Sequence, residues 1–218
     1  SGTIDARATN RAFSAYGFAT ATNSGSITSA ETISGGLYAV TGGASATALN
    51  TGDITMTGNS GSGVRTVSYG YSGTSSFTNA RNEGAIITSG DGSVGVTSIG
   101  YSSTTTSSTN RATVTNSANG TIRTSGANAY GMQLQNYGAG DANIVSFGLI
   151  ETTGDAATGI VTDVANGDLN LTHDGIISAT GGFSLGIDIE TQTGDISMVS
   201  TGDISSSQNA IDARAVTA

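Results

Sequence analysis

The side chains that could take part in catalysis or metal binding are few in this chain. His173 is the only histidine, and Asp174 follows it, so a Ser-His-Asp triad could in principle form with one of the many serines. However, His173 stands where Asn23, Asn50 and Asn82 stand in other copies of a repeat described below. We therefore predict that His173 is a turn residue and that the chain is not a protease.

Carboxylates at equivalent repeat positions are the second candidate. Asp163 and Glu190 fall at matching positions in consecutive repeats, with Arg214 next, and Arg123 and Glu151 are related in the same way. Polysaccharide lyases and hydrolases need several carboxylates on one face, and an acidic pair can hold a weak calcium ion. Because an arginine is next to each group, we predict surface ion pairs, with no catalytic residue, metal site or cofactor.

The tyrosines are more informative about function than His173 or the carboxylates. The tyrosines that follow the second strand-like segment of a repeat are Tyr16, Tyr69, Tyr71, Tyr101 and Tyr137. The segments that lengthen some repeats, 68–76 and 100–108, fall in the same place. Tyrosine combines a large contact area with a hydroxyl group, and longer loops carry the binding surfaces of repeat proteins. We predict a surface that binds protein or glycan partners; alternatively, the tyrosines only shield one corner of a thin core.

The amino-acid composition excludes several kinds of site and partner. The chain has 218 residues, 33 of them glycine, with no proline or cysteine and a formal net charge of −9. The absence of cysteine rules out disulfides, thiol catalysis and Cys-ligated zinc. An acidic chain without lysine is a poor binder of nucleic acid, because phosphate neutralisation needs clustered cations. No stretch approaches the ~18 apolar residues of a membrane helix, so we expect no membrane insertion of this segment.

A repeat of the form Asn-x-Gly-x-Ile recurs along the chain at a base interval of 27 residues, with insertions. Its closing isoleucines are Ile27, Ile54, Ile86, Ile122, Ile150, Ile177 and Ile204. Each repeat holds two further segments that alternate apolar or small with polar residues, the pattern of a β-strand. The sequence therefore predicts an all-β fold, a right-handed parallel β-helix of about seven coils with three short strands each. Residues 1–218 form one solenoid segment in this prediction.

The register predicts two more inward stacks besides the isoleucines. The second strand contributes Ile4, Leu37, Val64, Val96, Met132, Ile160, Ile187 and Ile211. The third contributes Ala21, Ala48, Ala80, Asn116, Ile144, Leu171 and Met198. Asn116 interrupts an otherwise apolar stack, so we expect it to find an asparagine or backbone partner.

The two ends of the chain share the pentapeptide Ile-Asp-Ala-Arg-Ala. This similarity places Ile4 and Ile211 in the same strand of the coil and predicts end-to-end contacts between copies. The residues assigned to those contacts are Ile4, Asp5, Arg7, Ile211, Asp212 and Arg214. Stacking in register would bring Asp5 near Asp212 and Arg7 near Arg214, so we expect a staggered contact. The sequence lacks a capping helix or charge run at either end, which favours a segment of a longer rod or a stacking subunit.

The array of Asn-x-Gly-x-Ile, a Thr/Ser-Gly turn and a Gly-Ile strand resembles the passenger regions of autotransporters and related large adhesins of Gram-negative bacteria. The resemblance covers the whole chain and implies an extracellular rod at the bacterial cell surface, used for adhesion. Two alternatives stay open. One is a self-assembling filament or matrix-fibre subunit that binds copies of itself, and the other is a carbohydrate-active β-helix enzyme.

Overall fold

A computed structural model describes residues 3–4, 10–14, 17–32, 35–70, 75–102 and 110–216. These residues form 23 β-strands, and no helix occurs among them. The described part of the chain accordingly has no helix long and apolar enough to cross a membrane.

The strands belong to three parallel sheets, and the chain visits the sheets in turn as it winds around the solenoid. Sheet 1 contains β1 (Thr3–Ile4), β4 (Ser26–Ser29), β7 (Asp53–Met56), β10 (Ala85–Thr88), β13 (Thr121–Thr124), β16 (Leu149–Thr152), β19 (Ile176–Ala179) and β22 (Asp203–Ser206). Sheet 2 contains β2 (Asn10–Ser14), β5 (Gly35–Thr41), β8 (Ser62–Gly70), β11 (Val94–Ser102), β14 (Tyr130–Asn136), β17 (Thr158–Val164), β20 (Leu185–Thr191) and β23 (Ile211–Ala215). Sheet 3 contains β3 (Ala19–Asn23), β6 (Ser45–Asn50), β9 (Ser76–Asn82), β12 (Asn110–Asn116), β15 (Ala142–Ser146), β18 (Leu169–His173) and β21 (Ile196–Ser200). The predicted parallel β-solenoid of about seven coils is confirmed.

The core is a set of side-chain columns that run along the solenoid. In sheet 1 the isoleucines pair in register from Ile27 to Ile204, as predicted. In sheet 2 the column from Leu37 to Ile211 is likewise continuous. Members of both columns in the middle of the solenoid are completely buried. Parallel register thus places like residues on like residues, and apolar burial supplies most of the stability.

The predicted place of Asn116 in the third stack is wrong. Val114 pairs with Ala80 on one side and with Ile144 on the other, so Val114 fills that apolar position. Asn116 pairs instead with Asn82 at the end of the strand. The prediction was displaced by two residues, and such a displacement keeps the side chain on the inner face.

Ile4 is also in a different place from the one predicted. It pairs with Ile27 in sheet 1, whereas Ile211 pairs with Ile187 in sheet 2. The residue that pairs with Leu37 at the start of sheet 2 is Asn10. In the sequence, Gly2-x-Ile4 matches Gly25-x-Ile27 of the repeat, which agrees with this pairing. The shared pentapeptide therefore does not place the two isoleucines in the same strand of the coil.

A buried asparagine ladder marks the corner between sheet 3 and sheet 1. The amide of Asn23 donates to Oδ1 of Asn50 at 2.8 Å, and that of Asn50 donates to Asn82 at 2.9 Å. Each amide also donates to a glycine carbonyl of its own corner, as from Asn50 to Gly52 at 2.9 Å. The ladder satisfies polar groups that the turn would otherwise bury without partners.

His173 continues the asparagine ladder, as predicted. Its side chain is completely buried. Its Nδ1 lies 3.2 Å from the carbonyl oxygen of Ser146, and its Nε2 lies 3.4 Å from that of Asp203. Each ring nitrogen thus faces a backbone carbonyl oxygen, and the nitrogen that carries the proton donates to it, which agrees with a role in the turn.

Candidate partner-binding surface

The predicted tyrosine surface lies at the end of sheet 2, on its outer side. Tyr69 is in β8 and pairs in register with Tyr101 in β11, and Tyr137 directly follows β14. The rings of Tyr69 and Tyr101 are stacked with centroids 5.1 Å apart and an interplanar angle of 8°. Those of Tyr101 and Tyr137 are stacked at 5.5 Å and 17°. Three of the five predicted tyrosines are therefore brought together; Tyr16 and Tyr71 lie outside the described residues.

A small apolar cluster lies under this stack. Val40, Val67 and Ile99 occupy consecutive coils at an outward position of sheet 2, yet they are only 8%, 0% and 4% exposed. Tyr101 and Tyr137 pack against them. The alternative interpretation, that tyrosine shields apolar residues, thus holds for part of the stack. Apolar residues at outward positions of three successive strands were the sequence signal for this cluster.

Tyr137 is fixed by a hydrogen bond. Its hydroxyl donates to Oδ2 of Asp163 at 2.8 Å. Burial and the neighbouring Asp163 carboxylate raise the pKa of Tyr137 well above its ordinary value. Asp163 is therefore an acceptor for tyrosine, and the predicted pairing of Asp163 with Glu190 and Arg214 does not describe its main contact.

Tyr69 is the open end of the stack. Its side chain is 46% exposed. Because Thr41 pairs with Ser68, the neighbour of Tyr69 in the preceding coil is Gly42, which has no side chain to stack on the ring. Tyr69 therefore offers ring surface and a hydroxyl group, whereas the ring faces of Tyr101 are covered on both sides.

A cationic group adjoins the same face of sheet 2. The guanidinium carbon of Arg65 lies 5.5 Å from the ring centroid of Tyr38, a cation–π contact. These two residues pair in register one coil apart. Sequence analysis did not single them out, although an aromatic and an arginine at equivalent positions of adjacent repeats were visible.

Arginines lie next to Glu151 and Glu190, two of the carboxylates that were considered for catalysis or calcium. Arg123 Nε lies 2.8 Å from Glu151 Oε2, as the repeat predicted. Arg214 lies 2.8 Å from Asp188, 3.5 Å from Asp212 and 4.0 Å from Glu190. The hydrogen bond to Asp188 raises the pKa of the exposed Arg214. Within the described ranges, no group of three or more His, Cys, Asp or Glu side chains is arranged to hold a metal ion.

The residues assigned to end-to-end contacts are only partly described. Ile211 is 44% exposed, and Asp212 and Arg214 belong to the charge cluster of sheet 2. The backbone of Ile4 is in sheet 1, while Asp5 and Arg7 lie outside the described residues.

Comparison of the chain with protein-family models, with curated proteins and with solved structures finds no match.

Proposed function

We propose that this chain is a rigid, non-catalytic rod at a bacterial cell surface, as the resemblance to autotransporter passengers and large adhesins implies. Its adhesive contact is the outer side of sheet 2, where Tyr69 is the open end of the tyrosine stack. The observation that carries the proposal is the stacking of Tyr69 on Tyr101 at 5.1 Å with 46% of the Tyr69 side chain exposed. The partner is a protein or glycan surface.

The stack suits adhesion because it presents aromatic area in a fixed orientation. A tyrosine that is already held by its neighbours loses little conformational freedom when a partner covers it. The underlying strands are bonded to the coils on both sides, so the surface is stiff. One such contact is weak, and many rods on one cell combine their contacts through avidity.

Adherence of coated beads tests this proposal. Beads carrying the chain are allowed to settle on immobilised matrix proteins and on immobilised glycans, and the attached fraction is counted after washing. We expect Tyr69→Ala to reduce attachment several-fold, while Phe147→Ala, which removes a 42% exposed aromatic from another face, has little effect. Equal attachment of the two variants, or none by the unaltered chain, would contradict the proposal.

End-to-end association of copies is a second candidate, favoured by the last coil. Met198 and Ile204 are only partly buried there, and Ile211 is 44% exposed. Because sheet 1 begins with β1 and ends with β22, a second copy could place its β1 beside β22 and its β2 beside β23. Sheets 1 and 2 would then continue from one copy into the next, without the stagger expected from the pentapeptides. Sedimentation at increasing concentration tests this: we expect Ile211→Glu to abolish association, and a monomer at all concentrations overturns the candidate.

A further inference from the structure

A groove of about 470 Å³ lies on the outer side of sheet 3. Its walls include Ser45, Phe77, Arg111, Gly140 and Asp141. Of the predicted tyrosines that the structure describes, Tyr69, Tyr101 and Tyr137, none lines it. Sequence analysis did not identify the groove residues as a site.

Parallel register places four of these side chains in one line along the rod. Ser45 pairs with Phe77, and Phe77 pairs with Arg111. Ala112 pairs with Ala142, so the residues before them, Arg111 and Asp141, are also neighbours. Successive members are one coil apart, about 4.8 Å. The groove therefore presents a hydroxyl, an aromatic ring, a cation and a carboxylate in fixed order.

The charges in the groove are available to a ligand. Arg111 is exposed, and it forms no ion pair with any residue in the described part of the chain, whereas Arg81, Arg123 and Arg214 each pair with a carboxylate. Asp141 adjoins Arg111 along the column without forming a salt bridge to it. The Arg111 guanidinium and the Asp141 carboxylate thus line the same groove. Their opposite charges leave the groove without a net charge.

We propose that this groove binds a neutral saccharide chain. The Phe77 ring offers an apolar surface to the C–H groups of a sugar ring, while the Arg111 guanidinium donates to hydroxyl oxygens and the Asp141 carboxylate accepts from hydroxyl protons. The hydroxyl of Ser45 can do either. A ligand with many hydroxyl groups uses all of these side chains together.

Charge argues against an anionic ligand. The chain carries a net charge of −9, which repels a polyanion on approach, and Asp141 stands in the groove itself. A single arginine cannot neutralise a row of phosphates or uronates. The inference goes beyond the proposed tyrosine-mediated contact, because it names a ligand class for a different set of residues.

Ligand-observed NMR with a panel of neutral gluco-, galacto- and manno-oligosaccharides tests the proposal, with matched uronic-acid oligosaccharides as the anionic arm. We expect saturation transfer to at least one neutral oligosaccharide, and at least tenfold weaker binding after Arg111→Gln or Asp141→Asn. Arg123→Gln, on sheet 1, is the matched control and keeps the affinity. Phe77→Leu keeps apolar volume but removes the ring, so its loss of binding with an unchanged melting temperature separates recognition from folding.

Several outcomes overturn the proposal: no neutral oligosaccharide of the panel binds, uronic-acid chains bind more tightly, or the groove variants bind as well as the control. The bead assay keeps the two functional proposals apart. If tyrosine-mediated adhesion to protein is correct and the saccharide site is not, Tyr69→Ala lowers attachment to protein while no saccharide binding is found. If the saccharide site alone is correct, the groove variants lose the oligosaccharide and Tyr69→Ala has no effect on either measurement.

Discussion

The side-chain amide of Asn82 donates to Oδ1 of Asn116 at 3.0 Å, and the same amide donates to the carbonyl of Gly84 at 3.0 Å. One buried side chain thus joins two coils and closes the turn of its own coil. Asn50 in turn donates to Asn82, so Asn82 has a partner on both sides.

Replacing Asn82 with alanine should destabilise the solenoid strongly. The change removes the acceptor of one Asn50 amide N–H and the donor to Asn116 Oδ1, at about 1–3 kcal/mol for each buried group that stays unpaired. The Gly84 carbonyl keeps the backbone N–H of Thr121 as a donor. Asn79, on the outward side of the same strand, is the matched control, and Asn79→Ala should change stability by less than about 0.5 kcal/mol. Urea unfolding of both variants measures the difference. Similar midpoints for the two would show that the ladder contributes nothing.

Adjacent isoleucines of β10 provide a test of the core register. Ile86 is completely buried in the sheet 1 column, while Ile87 is 45% exposed on the opposite side of the strand. We expect Ile86→Ala to cost about 2–5 kcal/mol because it opens a cavity, and Ile87→Ala to cost far less. The same large cost is expected for alanine at Ile122 and Ile150. Thermal unfolding distinguishes these variants, and an equal loss at Ile86 and Ile87 would contradict the register.

Alanine substitutions at the neighbouring glycines Gly35 and Gly36 should differ sharply in their effect on stability. A Cβ added at Gly36 would lie 2.6 Å from Cγ2 of Ile54 and 2.8 Å from the carbonyl oxygen of Gly63. The nearest atom to a Cβ at Gly35 is Cβ of Tyr38 at 3.7 Å, an ordinary contact. Gly36→Ala should therefore cost about 1–3 kcal/mol or more through overpacking, whereas Gly35→Ala should be tolerated. Equivalent melting curves for both variants would mean that the strand can shift away from the isoleucine column.

Alkaline pH should weaken the contact between Tyr137 and Asp163. The folded state raises the pKa of Tyr137 above the value of about 10 in the unfolded chain, so folding holds this proton more tightly. The contribution is complete below pH ~10 and is lost as the pH rises from there through the folded-state pKa. Tyr137→Phe should make the alkaline fall in stability shallower, as followed by denaturant unfolding at a series of pH values. Tyr69→Phe controls for loss of a tyrosine, and identical slopes for the two variants would contradict the assignment.

Periodicity predicted the architecture because each coil repeats the same pattern of inward-facing and outward-facing side chains. The isoleucine of Asn-x-Gly-x-Ile must face inward in every coil, and this requirement alone gave the sheet 1 column and the positions of Arg123 and Glu151. The error in the third stack arose because two inward positions of the same strand fitted the periodicity equally well. Asn116 and Val114 both face inward, and only the spatial pairing decides which of them follows Ala80.

The candidate surfaces were harder to predict than the fold. The tyrosines could be grouped from their place in the repeat, but the outward apolar column of Val40, Val67 and Ile99 was not recognised. The groove beside Phe77 and Arg111 depends on which residues pair across repeats of unequal length. Insertions before β9 and β12 change that alignment, so sequence spacing alone did not bring Phe77, Arg111 and Asp141 into one line.

The 27-residue separation of Asn23 from Asn50 has a consequence for how the gene can change. Duplication or loss of one complete coil leaves each column in register, so the length of the solenoid can vary between related proteins at little cost to folding. Deletion of a single residue within a strand reverses which side chains face inward for the rest of that strand. Natural length variants should therefore differ by whole coils, with smaller insertions confined to the segments between strands.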